Sequence, residues 1–226
     1  MTALLDTRVL ASTPVTAGLV RLALARPAPA AGDEHPGQYV LATAKGLPLA
    51  PFALASPAGA DRWELLVRAG NGTSGHLAAL RAGEVLSVSV PQGRGFSLAG
   101  TEGRDLLLAA AGTGISALRP LLLHACGGRG RFGKVVLLHG ARSPGELAWQ
   151  EEAATWRAAG VEVVHVVSRP GGTGWDGATG HVQEHLAGRV SGSSVAFLCG
   201  PQQMLQDCTT ALRALGVRDG DIRMNF

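Results

Sequence analysis

The chain has 226 residues, of which 46% are hydrophobic and 16% are charged. This length and composition exclude intrinsic disorder and supply enough apolar residues for one large or two modest hydrophobic cores. The formal net charge is only +3 and no dense run of lysine and arginine occurs, so we expect no nucleic-acid partner.

The longest apolar runs are too short to cross a membrane. Leu106–Ala111 and Val161–Val167 fall well below the roughly 20 residues that a bilayer span needs. The N-terminus carries Asp6 and Arg8 where a secretory signal is apolar, so we expect a cytoplasmic protein without a membrane span. The 3 cysteines are too few for a disulfide framework or an all-cysteine iron–sulfur cluster, and we expect no metal site in the chain.

The first hundred residues contain short β-rich runs separated by turns with proline and glycine. These runs are residues 15–24, 38–42, 52–55, 63–68 and 85–90. Such regular spacing is typical of a small antiparallel barrel or sandwich. One interruption, residues 75–82, has Leu77 and Leu80 on one helical face and predicts a short helix that ends at Gly83.

Beyond residue 104 the pattern changes to apolar strands that alternate with helices. The predicted strands are residues 106–111, 135–139, 161–167, 195–199 and 222–225, and the predicted helices are residues 116–125, 144–159, 179–187 and 201–215. Strands that are apolar throughout are buried on both faces, which indicates a parallel sheet with helices on each side. Residues 99–104 form the predicted linker between a first domain over 1–99 and a second over 105–226.

Two glycine-containing motifs follow strands of the predicted parallel sheet. In Gly112-Thr113-Gly114-Ile115 the glycines allow backbone amides to approach a pyrophosphate, although any tight strand-to-helix turn also uses glycine. Cys199-Gly200-Pro201 lies at the edge where open α/β sheets bind ligands; the alternative is a small buried thiol before a helix-initiating proline. The second strand runs into Gly140-Ala141-Arg142 without a carboxylate, which excludes an ordinary Rossmann dehydrogenase.

Two further patterns have an ordinary structural explanation. His181-Val182-Gln183-Glu184-His185 matches an inverted zinc-peptidase pattern, but that site needs a third ligand and its own scaffold, so we assign the segment to a crossover helix. Residues 70–75, Gly-Asn-Gly-Thr-Ser-Gly, offer hydroxyls and amides at a helix start. They suit a phosphate, and a glycine loop with an N-cap Ser or Thr explains them equally well.

Taken in order, the motifs of this chain resemble the landmarks of the ferredoxin–NADP⁺ reductase superfamily over nearly the whole length. The landmarks are residues 36–40 (PGQYV), 51–56 (PFALAS), 72–74 (GTS), 91–93 (PQG), 112–115 (GTGI), 140–143 (GARS), 175–177 (WDG) and 199–201 (CGP). The resemblance implies an antiparallel FAD-binding β-barrel followed by a parallel-sheet, Rossmann-like NAD(P)-binding domain. Residues 72–73 and 91–96 look most like the electron-transfer subunits of dihydroorotate dehydrogenase and soluble hydrogenases, but the iron–sulfur cysteines of those relatives are missing.

The resemblance implies a role for each landmark. Phe52 packs on the isoalloxazine, residues 72–74 receive the FAD pyrophosphate, and residues 112–115 lie under the NAD(P) pyrophosphate. Cys199 lies where hydride passes between nicotinamide and flavin, and Phe226 covers the other flavin face. The implied catalytic residues are Cys199 and Phe226, and the implied cofactor-binding residues are Phe52, Ala53, Leu54, Gly72, Thr73, Ser74, Gly112, Thr113, Gly114, Ile115, Arg142, Ser168, Arg169, Gly200 and Pro201.

Two positions depart from the flavin motif of the superfamily. Ala50 stands in place of an arginine that pairs with the FAD phosphate, and Ala53 in place of a hydroxyl that bonds flavin N5. A lost charge-assisted hydrogen bond costs roughly 1.5–3 kcal/mol, which predicts weaker FAD binding unless Arg68 or Arg94 substitutes. Ser168-Arg169 resembles a pair that grips the 2′-phosphate of NADP and favours NADPH. NAD-using relatives carry the same pair, and a solvated surface arginine is the alternative.

Together these features predict an FAD-dependent NAD(P)H reductase. Hydride passes from NAD(P)H to FAD, and electrons leave to an unidentified acceptor protein, for which an iron–sulfur protein is one candidate. The alternative is a degenerate member that binds flavin weakly and acts as a nucleotide-binding or interaction subunit. Ala50 and Ala53 favour the alternative, whereas the motifs at Gly112, Arg142 and Cys199 favour the enzyme.

Overall fold

Two six-stranded sheets, one from each half of the chain, build the protein. The structure is a computed structural model and describes residues 3–27, 34–44, 46–172 and 174–225. Phe226 lies outside the described residues, so its place beside the flavin stays a prediction. No helix in the described part of the chain is long and apolar enough to cross a membrane.

The first sheet is antiparallel and closes into a barrel. Its strands are β1 (Leu4–Thr16), β2 (Leu19–Ala25), β3 (Tyr39–Thr43), β4 (Ala50–Ala53), β5 (Arg62–Arg68) and β6 (Val85–Ser89), in the spatial order β4-β3-β6-β1-β2-β5. A bridge between Leu54 and Leu65 connects the two edge strands. Helix α1 (Gly72–Ala78) inserts the buried Leu77 into the core that these strands surround.

Two predictions about the barrel were wrong in their limits. The run 15–24 is not one strand, because a turn at residues 17–18 separates β1 from β2, and the Gly18 amide donates to Thr16 Oγ1 at 3.2 Å. The predicted helix 75–82 begins earlier, at Gly72, and ends at Ala78. Strand β1 was not predicted, because many of its side chains are exposed and its apolar residues do not form a continuous run.

The second sheet is parallel and carries helices on both faces. Its strands are β7 (Leu106–Ala111), β8 (Val135–Ala141), β9 (Val161–Val167), β10 (Ala178–Thr179), β11 (Val195–Cys199) and β12 (Ile222–Met224), in the order β10-β9-β8-β7-β11-β12. The longer helices are α2 (Ile115–Gly127), α3 (Ala153–Ala158) and α4 (Gln202–Ala214). The strand order reverses between β7 and β11, and ligands bind at such a switch point in open α/β sheets.

Two predicted helices of the second half were wrong. The helix predicted over 144–159 consists of 3₁₀ turns at Pro144–Glu146 and Gln150–Glu152 before α3, because Trp149 has a left-handed φ of 56° that interrupts any helix. The helix predicted over 179–187 is only a 3₁₀ turn at Val182–His185, after β10. Gly180, with a φ of 90°, turns the chain between these two elements.

One apolar cluster continues from the barrel into the parallel sheet. Leu19 and Leu66 of the barrel belong to the same buried cluster as Ile115 of α2. Phe96 and Phe197 pack edge to face across this boundary, with ring centroids 5.5 Å apart. The predicted linker 99–104 falls between β6 and β7, and the domain limits stay a prediction. The shared core holds the carboxyl edge of the parallel sheet against the barrel.

Candidate functional site

A cleft of about 970 Å³ opens at the carboxyl edge of the parallel sheet, beside the barrel. Its walls come from both halves of the chain. The parallel-sheet half contributes residues 111–114, 140–142, 168–169 and 199–201, and the barrel contributes Phe52, Ala53, Leu66 and Arg68. The cleft therefore brings together most of the predicted binding residues, and its volume is that of a site for a large organic ligand.

Glycines allow the loops after β7 and β11 to touch on the cleft floor. A Cβ atom on Gly114 would collide with the backbone carbonyl of Cys199, although the backbone of Gly114 itself is helical, with φ −58°. A Cβ atom on Gly200 would meet Met204 Sδ and lie 3.2 Å from the Ala111 amide nitrogen. A side chain at position 114 would therefore require the backbone to move, whereas one at position 200 would require the Met204 side chain to move.

The Cys199 side chain is half-buried at the end of β11 and lines the cleft. Burial raises the pKa of its thiol to about 11, because a thiolate would lose its hydration. The side chain is therefore neutral at physiological pH. It can offer a small, uncharged contact surface to a ligand, but it is not an activated nucleophile.

Arg68 is the cleft cation that the barrel supplies. Its Nη1 lies 3.6 Å from Glu146 Oε2, and its Nη2 lies 3.7 Å from the position that a Cβ of Gly112 would take. Arg68 thus reaches from β5 to the loop after β7. Of the two arginines considered as substitutes for the missing flavin-motif arginine, Arg68 lines the cleft and Arg94 does not.

Some predicted site residues lie behind the cleft. Leu54 and Ile115 are buried in the hydrophobic cores and do not line it. Residues 72–74 also lie outside its lining, and their hydroxyls bond to the protein: Thr73 Oγ1 donates to the Pro48 carbonyl at 2.7 Å, and Ser74 Oγ donates to the Arg68 carbonyl at 2.6 Å. The assignment of this loop to the FAD pyrophosphate stays a prediction.

The structure adds polar cleft residues that the sequence did not identify. Glu146 comes from the 3₁₀ turn after β8, Gln183 from the turn after β10, and Gln203 and Asp207 from successive turns of α4. The four-residue spacing of Gln203 and Asp207 places them on one helix face, which was the available sequence signal. Nothing in the sequence indicates that Gln183 meets them.

The histidines of the zinc-like pattern do not share a helical face, because the segment is a 3₁₀ turn. His181 lines the cleft, whereas His185 Nε2 lies 2.8 Å from the Thr179 carbonyl oxygen. In the ranges that the structure describes, no group of three or more His, Cys, Asp or Glu side chains could hold a metal ion.

Comparisons with known proteins match both the second half of the chain and the whole fold. Residues 108–210 match the oxidoreductase NAD-binding domain family. The chain is 29% identical over 194 residues to sulfhydrogenase 1 subunit gamma of Pyrococcus furiosus, covering 83% of this chain and 66% of the relative. It is 30% identical over 177 residues to a probable dihydroorotate dehydrogenase B electron transfer subunit of Thermococcus kodakarensis, covering 76% of this chain and 65% of that protein.

A solved structure extends the match to the whole fold. Ferredoxin NADP⁺ reductase from Neisseria gonorrhoeae, with bound FAD and NADP, superposes with a TM-score of 0.84 at 20% identity, covering 100% of this chain and 99% of that chain. The fold and the matched domain are similar to those of nucleotide-dependent oxidoreductases. Residues 108–210 match the oxidoreductase NAD-binding domain family, and the whole chain shares the fold of ferredoxin–NADP⁺ reductase, which confirms the resemblance and the fold class predicted from sequence. It spans just under two thirds of the length of the two curated relatives.

Proposed function

We propose that this chain is an FAD-dependent NAD(P)H reductase that passes hydride from the nicotinamide to the flavin and electrons on to an acceptor protein. One observation supports the proposal most strongly: Phe52 and Ala53 of the barrel line the same cleft as Cys199 and the loop after β7. Hydride transfer needs donor and acceptor rings at near-contact distance, and a shared cleft provides that proximity.

The barrel wall suits an isoalloxazine ring system. Phe52 and Leu66 give the cleft an apolar surface, and the neutral Cys199 side chain approaches it from β11. The flavin, when bound, supplies the hydride-accepting chemistry. The residues of this chain exclude water, hold the rings and provide positive charge, for which we propose Arg68 in place of the arginine that Ala50 replaces.

The nucleotide wall suits the phosphates and ribose of NAD(P). The loop Gly112–Gly114 presents backbone at the start of α2, where partial positive charge favours a pyrophosphate. Beyond the ends of β8 and β9 the two backbone segments stay paired. The Arg169 amide donates to the Arg142 carbonyl at 2.7 Å, and the Ser168 amide donates to the Ala141 carbonyl at 3.0 Å. This pairing keeps the backbones of Arg142 and Arg169, which both line the cleft, side by side.

A second candidate function has its own support. Ala50 and Ala53 provide no polar side chain, and the Thr73 and Ser74 hydroxyls already bond to the protein. A chain with these features can bind nucleotide and still hold flavin weakly. It would then serve as a nucleotide-binding or interaction subunit.

For the acceptor we propose a partner protein. Two relatives are named as a subunit of a sulfhydrogenase and as an electron transfer subunit, so both work within larger assemblies. A protein that carries single electrons, such as an iron–sulfur protein, suits a flavin donor because a flavin can release its two electrons one at a time.

The proposal is tested by the visible absorption spectrum of the purified protein, followed by anaerobic addition of NADH or NADPH. A flavin band that bleaches supports the reductase. A colourless protein that also fails to take up added FAD contradicts it and supports the second candidate.

A matched pair of variants then tests the missing arginine. Ala50→Arg should tighten FAD binding by about tenfold or more if no other cation serves that position. The control Ala158→Arg adds the same charge at an exposed position of α3 and should leave FAD affinity unchanged. Equal FAD affinities in both variants and the wild type would mean that Arg68 already supplies the charge.

A further inference from the structure

Asp207 supplies a fixed carboxylate to the nucleotide wall of the cleft. It lies on the second turn of α4 and is half-buried. Gln203 Nε2 donates to Asp207 Oδ1 at 2.9 Å, and Gln183 Nε2 approaches Oδ2 at 3.5 Å. All three side chains line the cleft. The two amides hold the carboxylate in place without neutralising its charge.

The other carboxylate of the cleft is paired, and Asp207 is not. Glu146 lies 3.6 Å from Arg68. Among the described residues, no ion pair involves Asp207, and the ion pair between cleft residues is the one that joins Arg68 and Glu146. A carboxylate held by neutral donors remains a hydrogen-bond acceptor and repels a second anion.

The cleft that Asp207 lines also contains the strand end where dinucleotide folds bind the adenosine ribose. In those folds a carboxylate after the second strand accepts from the ribose 2′-hydroxyl. Here the second strand, β8, ends in Gly140-Ala141-Arg142 and has no such group. Val182 packs directly over Gly140, and the neighbouring Gln183 and its partner Asp207 line the same cleft as this strand end.

We propose that Asp207 takes the place of the carboxylate missing from β8: it accepts a hydrogen bond from the adenosine ribose and disfavours a 2′-phosphate. The inference rests on the proposed function, because it requires NAD(P) to lie in this cleft. Asp207 thereby biases the cleft towards NADH and opposes Arg169, whose guanidinium attracts a 2′-phosphate. Nucleotide preference is set by the balance of these two residues.

Isothermal titration calorimetry with NAD⁺ and NADP⁺ tests the inference without any turnover. Asp207→Asn keeps the side-chain shape and removes the charge, so we expect the affinity ratio of NADP⁺ to NAD⁺ to rise by about fivefold or more. Asp207→Glu should retain the wild-type ratio, and Arg169→Ala should shift the ratio in the opposite direction. Asp61→Asn, an exposed acid of the barrel, is the charge control and should change nothing.

Salt dependence separates charge repulsion from a change in shape. The gain in NADP⁺ affinity on Asp207→Asn should shrink as ionic strength rises, because salt screens the repulsion. An unchanged ratio in Asp207→Asn, with normal binding of both nucleotides to the wild type, overturns the inference and leaves the proposed function standing. Wild-type protein that binds neither nucleotide overturns both.

Discussion

Arg119 of α2 donates from Nη1 to Glu64 Oε2 of β5 at 2.8 Å, and this buried ion pair joins the parallel-sheet half to the barrel. Both side chains are only 8% exposed. The same guanidinium donates to the Ala55 carbonyl at 2.9 Å and to Glu152, and it lies over the Trp149 ring at 5.0 Å from the centroid. This ion pair therefore fixes the position of the barrel wall of the cleft relative to the parallel-sheet wall.

We expect Arg119→Ala to lower the free energy of unfolding by about 3–5 kcal/mol, because the buried Glu64 carboxylate then keeps, among the described residues, only the exposed Arg62 as a cationic partner, at 3.7 Å. The measurement is urea denaturation. The double variant Arg119→Met with Glu64→Leu should lose less than the single variant, since it leaves no buried charge unpaired at that contact. Arg213→Ala breaks an exposed pair with Asp219 and should cost under about 1 kcal/mol. A loss in Arg119→Ala as small as that of Arg213→Ala would contradict the prediction.

Gly114→Ala tests whether the contact between the two loops shapes the nucleotide wall. The new methyl group would collide with the Cys199 carbonyl, so the loops must separate. We expect a loss of about 1–3 kcal/mol in stability and of at least about tenfold in NAD⁺ affinity, measured by urea denaturation and calorimetry.

Gly127→Ala is the matched control for this steric effect. It adds the same methyl group at the end of α2, where no atom beyond its chain neighbours and the backbone of its own helix lies within 4 Å of the new position. The variant should bind NAD⁺ normally and keep or slightly gain stability. If Gly114→Ala behaves like Gly127→Ala, the loop contact has no part in nucleotide binding.

The sequence predicted those parts of the fold whose signal is local. Strands β7, β9 and β11 were predicted with their observed limits, because each is a mostly apolar run between polar or glycine-containing turns. The prediction of a helix over 144–159 was wrong. The left-handed backbone of Trp149 interrupts it, and this conformation depends on tertiary packing and has no signal in the local sequence.

The sequence predicted site residues only where they belong to a recognisable motif. The glycine loop after β7 and the end of β11 were identified from their spacing, and both line the cleft. Contacts between distant residues were not: Arg119 and Glu64 lie 55 positions apart, and Gln183 and Asp207 lie 24 apart. Such contacts depend on how the elements pack together, so the sequence of any one segment does not indicate them.

His139 of β8 predicts a specific pH dependence of stability. It is fully buried, and its pKa is lowered from 6.5 to about 3, chiefly because burial removes the hydration of the imidazolium and then because His165 lies close. The native side chain stays neutral while the unfolded chain takes up a proton below about pH 6.5. Stability is therefore present above that pH and is lost as the pH falls towards 3.

We expect protonation of His139 in the unfolded chain to lower the free energy of unfolding by about 2 kcal/mol between roughly pH 7.5 and pH 5, at about 1.4 kcal/mol per pH unit below 6.5. Urea denaturation at both pH values measures the loss in the wild type and in His139→Leu. Over this pH change His139→Leu should lose about 2 kcal/mol less stability than the wild type. His124→Gln removes an exposed histidine of α2 and should lose as much as the wild type; a loss in His139→Leu equal to that of the wild type would refute the assignment.

The variant Cys199→Ala tests whether the side chain at the end of β11 positions the reacting rings or takes part in the chemistry. The half-buried thiol is neutral, with its pKa raised to about 11 by burial, so in the proposed reductase we expect it to position the reacting rings. Small misplacements cost up to about a hundredfold in rate, and we expect reduction of the bound flavin to slow by at least about tenfold. Anaerobic stopped-flow spectroscopy measures the rate, and calorimetry should show NAD⁺ affinity changed by less than about twofold.

Two further readouts distinguish this role from thiolate catalysis. Because the thiol stays protonated, the wild-type rate should show no ionisation of Cys199 between about pH 6 and pH 9, and the alkylation of Cys199 by iodoacetamide should be slow in that range. Cys126→Ala alters a thiol of α2 outside the cleft lining and should leave the rate unchanged. Equal losses of rate and nucleotide affinity in Cys199→Ala would instead make the side chain a binding contact alone.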